Sequence, residues 1–97
     1  MRMIWKFPLY LEPGPQVVHA MPADAVVLRF RMQNRIPTLW CMVDPENAPI
    51  DRHFQIVGTG HELPNGSRYI GMAEDGPYVW HALELGTSQL TQEGQSK

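Results

Sequence analysis

The sequence predicts an all-β fold of about seven short antiparallel strands. Nine prolines and eight glycines, nearly all within the first 86 of 97 residues, divide the chain into runs of strand length. Within these runs, larger apolar side chains recur at every second position, which is the period of a strand with one buried face. The composition, 43% hydrophobic and 19% charged, is typical of a chain that folds around a single core.

The first half of the chain gives four strands. Runs 3–9 and 16–20 flank a Pro-Gly turn, which predicts a first hairpin. The run 25–32 alternates, and Arg29 and Arg31 lie on its polar side. Its predicted buried side chains are Val26, Leu28, Phe30 and Met32. Because Asn tolerates positive φ, Gln33-Asn34-Arg35 predicts a tight hairpin into 37–43. That next strand is apolar on both faces, so we expect it in the middle of a sheet.

The second half gives three more strands, 52–58, 68–73 and 78–85. Turns at Pro64-Asn65-Gly66 and Asp75-Gly76 separate them. Since an open sheet exposes its edges, we expect a meander that closes toward a small barrel or a sandwich. The predicted domain is 1–85, followed by a flexible polar tail, 86–97. The predicted core is Val26, Leu28, Phe30, Leu39, Trp40, Cys41, Val43, Phe54, Ile56, Ile70, Val79 and Leu83.

Several functional classes find no support in the residues. The four histidines form no close pair and Cys41 has no second cysteine, so we predict no metal site, no cofactor and no catalytic residue. The net charge of −2 argues against nonspecific nucleic-acid binding. No apolar run could span a bilayer, and a single cysteine suits a reducing compartment, so we expect a cytoplasmic protein. Pairing with another copy would add burial, and a homodimer is therefore an open alternative.

Two sets of residues remain as candidate sites. Gly58-Thr59-Gly60-His61, with Arg52 or Arg68 nearby, could bind a small ligand or nucleotide, although a strand end that needs glycine geometry explains the same pattern. Arg29, Arg31 and Arg35 are the candidate protein-binding residues, because arginine is enriched at interface hot spots. A solvated sheet surface is the alternative interpretation of these arginines.

Several segments resemble a family of small proteins of unknown function from bacteriophages, prophages and bacteria. The segments are Trp5-Lys6-Phe7-Pro8-Leu9, Met21-Pro22, Gln33-Asn34, Pro37-Thr38-Leu39-Trp40, Val43-Asp44-Pro45 and Phe54-Gln55-Ile56-Val57-Gly58-Thr59-Gly60-His61. The resemblance covers roughly residues 3 to 85. Arg35 stands where the family often has glycine, and the tail from Gly86 has no recognised counterpart.

The resemblance implies context rather than chemistry. Small phage accessory proteins commonly act by occupying a host protein, including proteins of defence systems, and others sequester nucleotide signals. We therefore expect a non-enzymatic accessory protein that binds a host protein, with inhibition of a defence system as one form of that role. The alternatives are a small-ligand or nucleotide-binding module and a structural or enzymatic role.

Overall fold

The computed structural model describes residues 1–86, and it is built from strands throughout. The strands are β1 (Met3–Pro8), β2 (Pro15–Pro22), β3 (Val26–Gln33), β4 (Ile36–Val43), β5 (Pro49–Gly58), β6 (Arg68–Asp75) and β7 (Tyr78–Leu85). The all-β prediction of about seven antiparallel strands is confirmed. The predicted flexible tail lies outside the described residues from position 87 onward.

The strands form two antiparallel sheets, one ordered β1-β4-β3 and the other β2-β5-β7-β6. The sheets contact each other through β3 and β6 and do not close into a barrel, so the arrangement is sandwich-like. The predicted first hairpin is wrong, because β1 pairs with β4 while β2 pairs with β5 in the other sheet. The prediction for β4 is confirmed, since it lies between β1 and β3.

A two-residue turn joins β3 to β4. Asn34 and Arg35 have φ values of 51° and 66°, and Gln33 pairs with Ile36 across them. Positive φ at both central residues identifies a type I′ turn, whose twist matches that of the flanking strands. The tight hairpin is therefore confirmed, with arginine at a position that favours glycine.

A β-bulge in β3 changes which side chains are buried. The register with β4 skips one residue between Val27 and Arg29, so Leu28 is the extra residue. Val27 and Phe30 consequently face the core, while Val26 and Leu28 are 49% and 50% exposed. The core prediction is wrong for Val26 and Leu28, because an extra residue reverses the alternation on one side of the bulge.

The core lies between the two sheets. Seven predicted core residues are buried: Phe30, Leu39, Cys41, Val43, Phe54, Ile56 and Leu83. Three others, Trp40, Ile70 and Val79, are half-buried. Leu39, Cys41 and Val43 face the core, so alternation along β4 directs Trp40 and Met42 to the outer face of the three-stranded sheet.

Candidate binding face

The outer face of the three-stranded sheet carries basic and apolar side chains in cross-strand rows. The rows are Lys6, Trp40 and Arg29, and next to them Ile4, Met42 and Val26. Arg31 lies one row further along, opposite Thr38. Trp40, the central residue, is thus flanked by a cation on each neighbouring strand. We call this surface the basic face.

Two more cations lie at the margins of the basic face. The Arg2 guanidinium contacts the sulfur of Met42 at 3.5 Å, and Arg35 occupies the turn between β3 and β4. With Lys6, Arg29 and Arg31, they make five of the eight lysines and arginines of the chain. The segments 3–8, 26–33 and 36–43 contain no aspartate or glutamate. Positive charge is therefore concentrated on one sheet of a chain whose net charge is −2.

Apart from Arg2, which contacts Met42, the arginines of the chain fall into two groups by their contacts. Arg52 and Arg68, on the four-stranded sheet, both bind Glu84. Within residues 1–86, by contrast, the guanidinium groups of Arg29, Arg31 and Arg35 have neither an ion pair nor a hydrogen bond. Arg29, Arg31 and Arg35 are thus not used in ion pairs within the described part of the fold. They are the three residues predicted to bind a protein.

Exposed aliphatic side chains lie beside the cations. Ile4 is 56% exposed, and Val26 and Leu28 are about half exposed on the same side of the sheet. Lys6 has no acidic partner among the described residues and donates a hydrogen bond to Oε1 of Gln33 at 2.6 Å, across β4. The basic face thus combines apolar contact area with charge, which are the two components of a protein-binding surface.

The second predicted site, Gly58-Thr59-Gly60-His61, is a hydrogen-bonded turn. The His61 amide donates to the Gly58 carbonyl at 3.2 Å, and Gly60 has φ of 91°, which favours glycine. A Cβ on Gly58 would lie 3.4 Å from both the His61 and Trp80 rings. Local packing and turn geometry therefore account for both glycines.

The Thr59 hydroxyl is already engaged by neighbouring residues. Its Oγ1 lies 2.9 Å from Nε2 of His81 and donates to the Val79 carbonyl at 3.3 Å. The Tyr69 hydroxyl lies 2.7 Å from Nδ1 of the same histidine. This polar chain fixes the turn to β6 and β7, and it is a cluster that sequence spacing does not reveal.

A cavity of about 460 Å³ lies beside this turn, between Gly58, His61 and Trp80 and the β1–β2 connection. Glu12 and Glu62 line it, whereas no lysine or arginine among the described residues does. A phosphate would meet negative charge from these two side chains. Arg52, predicted as part of the same site, lies toward the other end of β5 and lines a different cavity, of about 710 Å³.

Arg52 belongs to a structural ion-pair cluster. Its Nε and Nη2 donate to the two oxygens of Glu84 at 2.7 and 2.8 Å, and Nη1 donates to the Ala25 carbonyl at 2.6 Å. Arg68 adds a bond to Glu84 at 2.8 Å. Burial alone would raise the pKa of Glu84, but hydrogen bonds from the two arginines outweigh it and lower that pKa. The hydrogen bond to Glu84 also raises the pKa of Arg52.

The remaining candidates for chemistry are structural. Cys41 is fully buried, and burial raises the pKa of its thiol to about 11, so the nucleophilic thiolate is scarce at neutral pH. Among the described residues, no group of three or more His, Cys, Asp or Glu side chains is placed to hold a metal ion. Over residues 1–86, no helix is long and apolar enough to cross a membrane.

Sequence reasoning proposed Arg29, Arg31 and Arg35 as candidates but did not place Lys6 and Trp40 on the same face as Arg29 and Arg31. It placed Trp40 in the core, because its strand is apolar on both faces. The absence of carboxylates from residues 1–11 and from 25–43 was visible in the sequence. Only the strand order shows that these two segments form one surface.

The fold and this face define a small two-sheet β-domain with a basic surface on one sheet. The family model described as a domain of unknown function (DUF7352) matches residues 1–93. The chain belongs to that family. The match extends to residue 93 and so includes part of the tail from Gly86, for which the resemblance gave no counterpart. No curated protein and no solved structure matches the chain.

Proposed function

We propose that the protein is a non-enzymatic binding protein whose basic face docks on an acidic surface of a partner protein. The observation that carries this proposal is the set of three arginines that have no partner within residues 1–86, Arg29, Arg31 and Arg35. Arg29 lies opposite Trp40, Arg31 lies opposite Thr38, and Arg35 lies in the turn that joins these two strands, which contain no carboxylate. Arginine and tryptophan are the residues most enriched at interface hot spots.

Physical arguments favour a protein partner over a nucleic acid. Half-exposed aliphatic side chains such as Ile4 and Leu28 adjoin the cations, and they would bury apolar area only against an apolar surface. Binding to single-stranded nucleic acid typically uses several stacked aromatic rings, whereas this face has one, Trp40. A net charge of −2 also gives the molecule no net long-range attraction to phosphates.

The resemblance to phage and prophage proteins suggests the setting for this role. In that setting the partner is a host protein in the bacterial cytoplasm, and a defence-system protein is one candidate. Complementary charge between the two surfaces would speed their association and select against basic partners. No enzymatic step is needed for a protein that acts by covering another.

The nucleotide-binding alternative receives less support. Thr59 is hydrogen-bonded to His81 and Val79, Arg52 is held by Glu84, and Glu12 and Glu62 line the cavity beside the turn. No specific observation favours a structural or enzymatic role.

The experiment is affinity capture from a bacterial host lysate with the wild-type protein and with Arg29→Ala, Arg31→Ala and the double variant. Arg68→Ala is the control for each single variant, because it also removes one positive charge, on the other sheet, and leaves Glu84 paired with Arg52. We expect one partner to be lost with the double variant and retained with Arg68→Ala. A partner retained by the double variant would contradict the basic face as the docking surface.

A thermal-shift screen against nucleotides tests the ligand hypothesis. That hypothesis is favoured if nucleotides stabilise the protein, and if Thr59→Val with His61→Ala abolishes the stabilisation while Arg29→Ala does not.

A further inference from the structure

The strand β1 lies at the edge of the three-stranded sheet. In the order β1-β4-β3 it pairs with β4 over all six residues from Met3 to Pro8, and no strand within residues 1–86 pairs with its other side. An edge strand presents unpaired backbone N–H and C=O groups, to which another strand can pair. The outward groups of β1 can be identified from the pairing register.

The direction of the backbone groups in β4 follows from its hairpin. Gln33 and Ile36 flank a two-residue turn and therefore form a hydrogen-bonded pair. Alternation then points the amides of Thr38 and Trp40 toward β3. It points the backbone groups of Leu39, Cys41 and Val43 toward β1. The hydrogen bond from the Leu9 amide to the Pro37 carbonyl, at 2.7 Å, agrees with this assignment.

The same alternation applies to β1. Met3, Trp5 and Phe7 face Val43, Cys41 and Leu39 as hydrogen-bonded pairs. The backbone N–H and C=O groups of Ile4 and Lys6 therefore point away from the sheet. No other hydrogen bond within the described residues reaches the backbone of Ile4 or Lys6. Pro8, which lacks an N–H, also lies on this outward set.

The free edge is largely apolar. Met3 and Ile4 are 44% and 56% exposed, and Trp5 and Phe7 are only partly buried although they pack on the core. Edge strands that stay solitary commonly carry several charges or a bulge, whereas β1 has Lys6 as its one charge and pairs regularly with β4. The edge thus offers both unpaired backbone groups and apolar side chains to a second strand.

We propose that β1 of a second copy of this chain pairs antiparallel with β1, forming a two-fold symmetric dimer. Three registers would pair the outward backbone groups. Ile4 opposite Ile4 brings Arg2 against Lys6 of the second copy, and Lys6 opposite Lys6 is directly repulsive. Ile4 opposite Lys6 avoids both like-charge contacts, so this register is assigned.

The assigned register also pairs the inner side chains. Trp5 lies opposite Trp5 of the second copy at a non-hydrogen-bonded position, where facing side chains approach most closely. Met3 then faces Phe7 of the second copy, and aromatic and apolar pairs of this kind stabilise adjacent strands. The dimer has a continuous six-stranded sheet, with the two basic faces on the same side. This inference does not depend on the proposed function, since it rests on the strand edge and not on the unpaired arginines.

The test measures association and amide exchange on the full chain. Sedimentation velocity from about 1 μM to about 1 mM should show a monomer converting to a dimer with concentration. Residue-resolved hydrogen exchange should show the amides of Ile4 and Lys6 becoming protected over the same range. The amides of Trp5 and Phe7 should be protected at every concentration.

Variants at Ile4 separate backbone pairing from side-chain contact. Ile4→Pro removes an outward donor and leaves the bonds to β4, so the dimer dissociation constant should rise by at least about tenfold. Ile4→Thr, which keeps the amide and the β-branched shape, should dimerise nearly as the wild type does. A monomer at all concentrations, or a dimer in which the Ile4 and Lys6 amides exchange freely, would overturn the proposal. If Ile4→Pro does not fold, the exchange measurement on the wild type decides.

Discussion

Arg35 occupies a backbone conformation that glycine would adopt without strain. Its φ of 66° lies in the left-handed region, which costs a non-glycine residue about 1 to 2 kcal/mol. Strained positions of this kind cluster at functional sites. The Arg35 guanidinium, which has no partner within residues 1–86 and lies beside the basic face, is consistent with such a function.

Replacing this residue should therefore separate stability from binding. We expect Arg35→Gly to increase the free energy of unfolding by about 0.5 to 1 kcal/mol, since relief of strain exceeds the entropy that glycine adds to the unfolded chain. The same variant should weaken partner capture. Denaturant unfolding and affinity capture measure the two effects. Arg35→Lys keeps both strain and charge and should leave stability unchanged; a loss of stability in Arg35→Gly would contradict the argument.

The sequence could predict that Arg29 and Arg31 are outward but not which arginines lack a partner among the described residues. Arg29 and Arg31 are separated by one residue on an alternating strand, so their shared face follows from spacing alone. Arg52 also lies on a strand, yet it binds Glu84, 32 residues away in the chain. Partners so distant depend on strand order, which local spacing does not encode.

At the scale of the elements, the bulge in β3 is the main departure from the predicted alternation. The alternation of buried and exposed side chains holds from Phe30 to Met32. It is interrupted at Leu28, which is the additional residue of the bulge. Nothing in Val26-Val27-Leu28 marks the bulge, because all three residues are apolar and suit either face. The strand was predictable from the sequence, but its register before the bulge was not.

The two valines provide a matched test of the bulge. Val27 packs on the core and Val26 is half exposed, so Val27→Ala should lower the free energy of unfolding by about 1 to 2 kcal/mol. Val26→Ala makes the same chemical change on the outer face and should cost less than about 0.5 kcal/mol. Denaturant titration of both variants gives the comparison. Equal costs, or a larger cost for Val26→Ala, would restore the uninterrupted alternation that the sequence predicts.

The missing first hairpin has a different cause. Glu12-Pro13-Gly14-Pro15 signals a change of direction, and the chain does change direction there, with Gly14 at φ of 89°. A turn does not determine which strand becomes the neighbour, and β1 and β2 enter different sheets. The β3–β4 and β6–β7 hairpins were predictable because two-residue turns leave their strands no other arrangement.

At the scale of the whole molecule, Arg52 connects the two sheets. It lies on β5, binds Glu84 on β7, and donates to the carbonyl of Ala25 immediately before β3 begins. Its guanidinium also lies 5.8 Å from the centre of the Phe54 ring, above the core. The Arg52–Glu84 ion pair, the most buried one within residues 1–86, thus lies where the chain passes from β2 in one sheet to β3 in the other.

Acid should weaken this connection through Glu84. Hydrogen bonds from Arg52 and Arg68 lower the pKa of Glu84 against the opposing effect of burial, so its folded value lies below the ordinary 4.5. A carboxyl with a lowered folded pKa contributes stability that is fully present above its unfolded value and is lost as pH falls through the folded value. The free energy of unfolding should therefore decrease as pH falls below about 4.5.

Glu84→Gln should cost about 2 kcal/mol at pH 7, because charge-assisted bonds are lost, and should show a shallower decrease in acid. Glu74→Gln, an exposed position on β6 with no partner among the described side chains, is the control and should retain the wild-type profile. Denaturant unfolding between about pH 3 and pH 7 measures all three proteins; identical acid profiles for the wild type and Glu84→Gln would show that this ion pair does not stabilise the junction between the sheets.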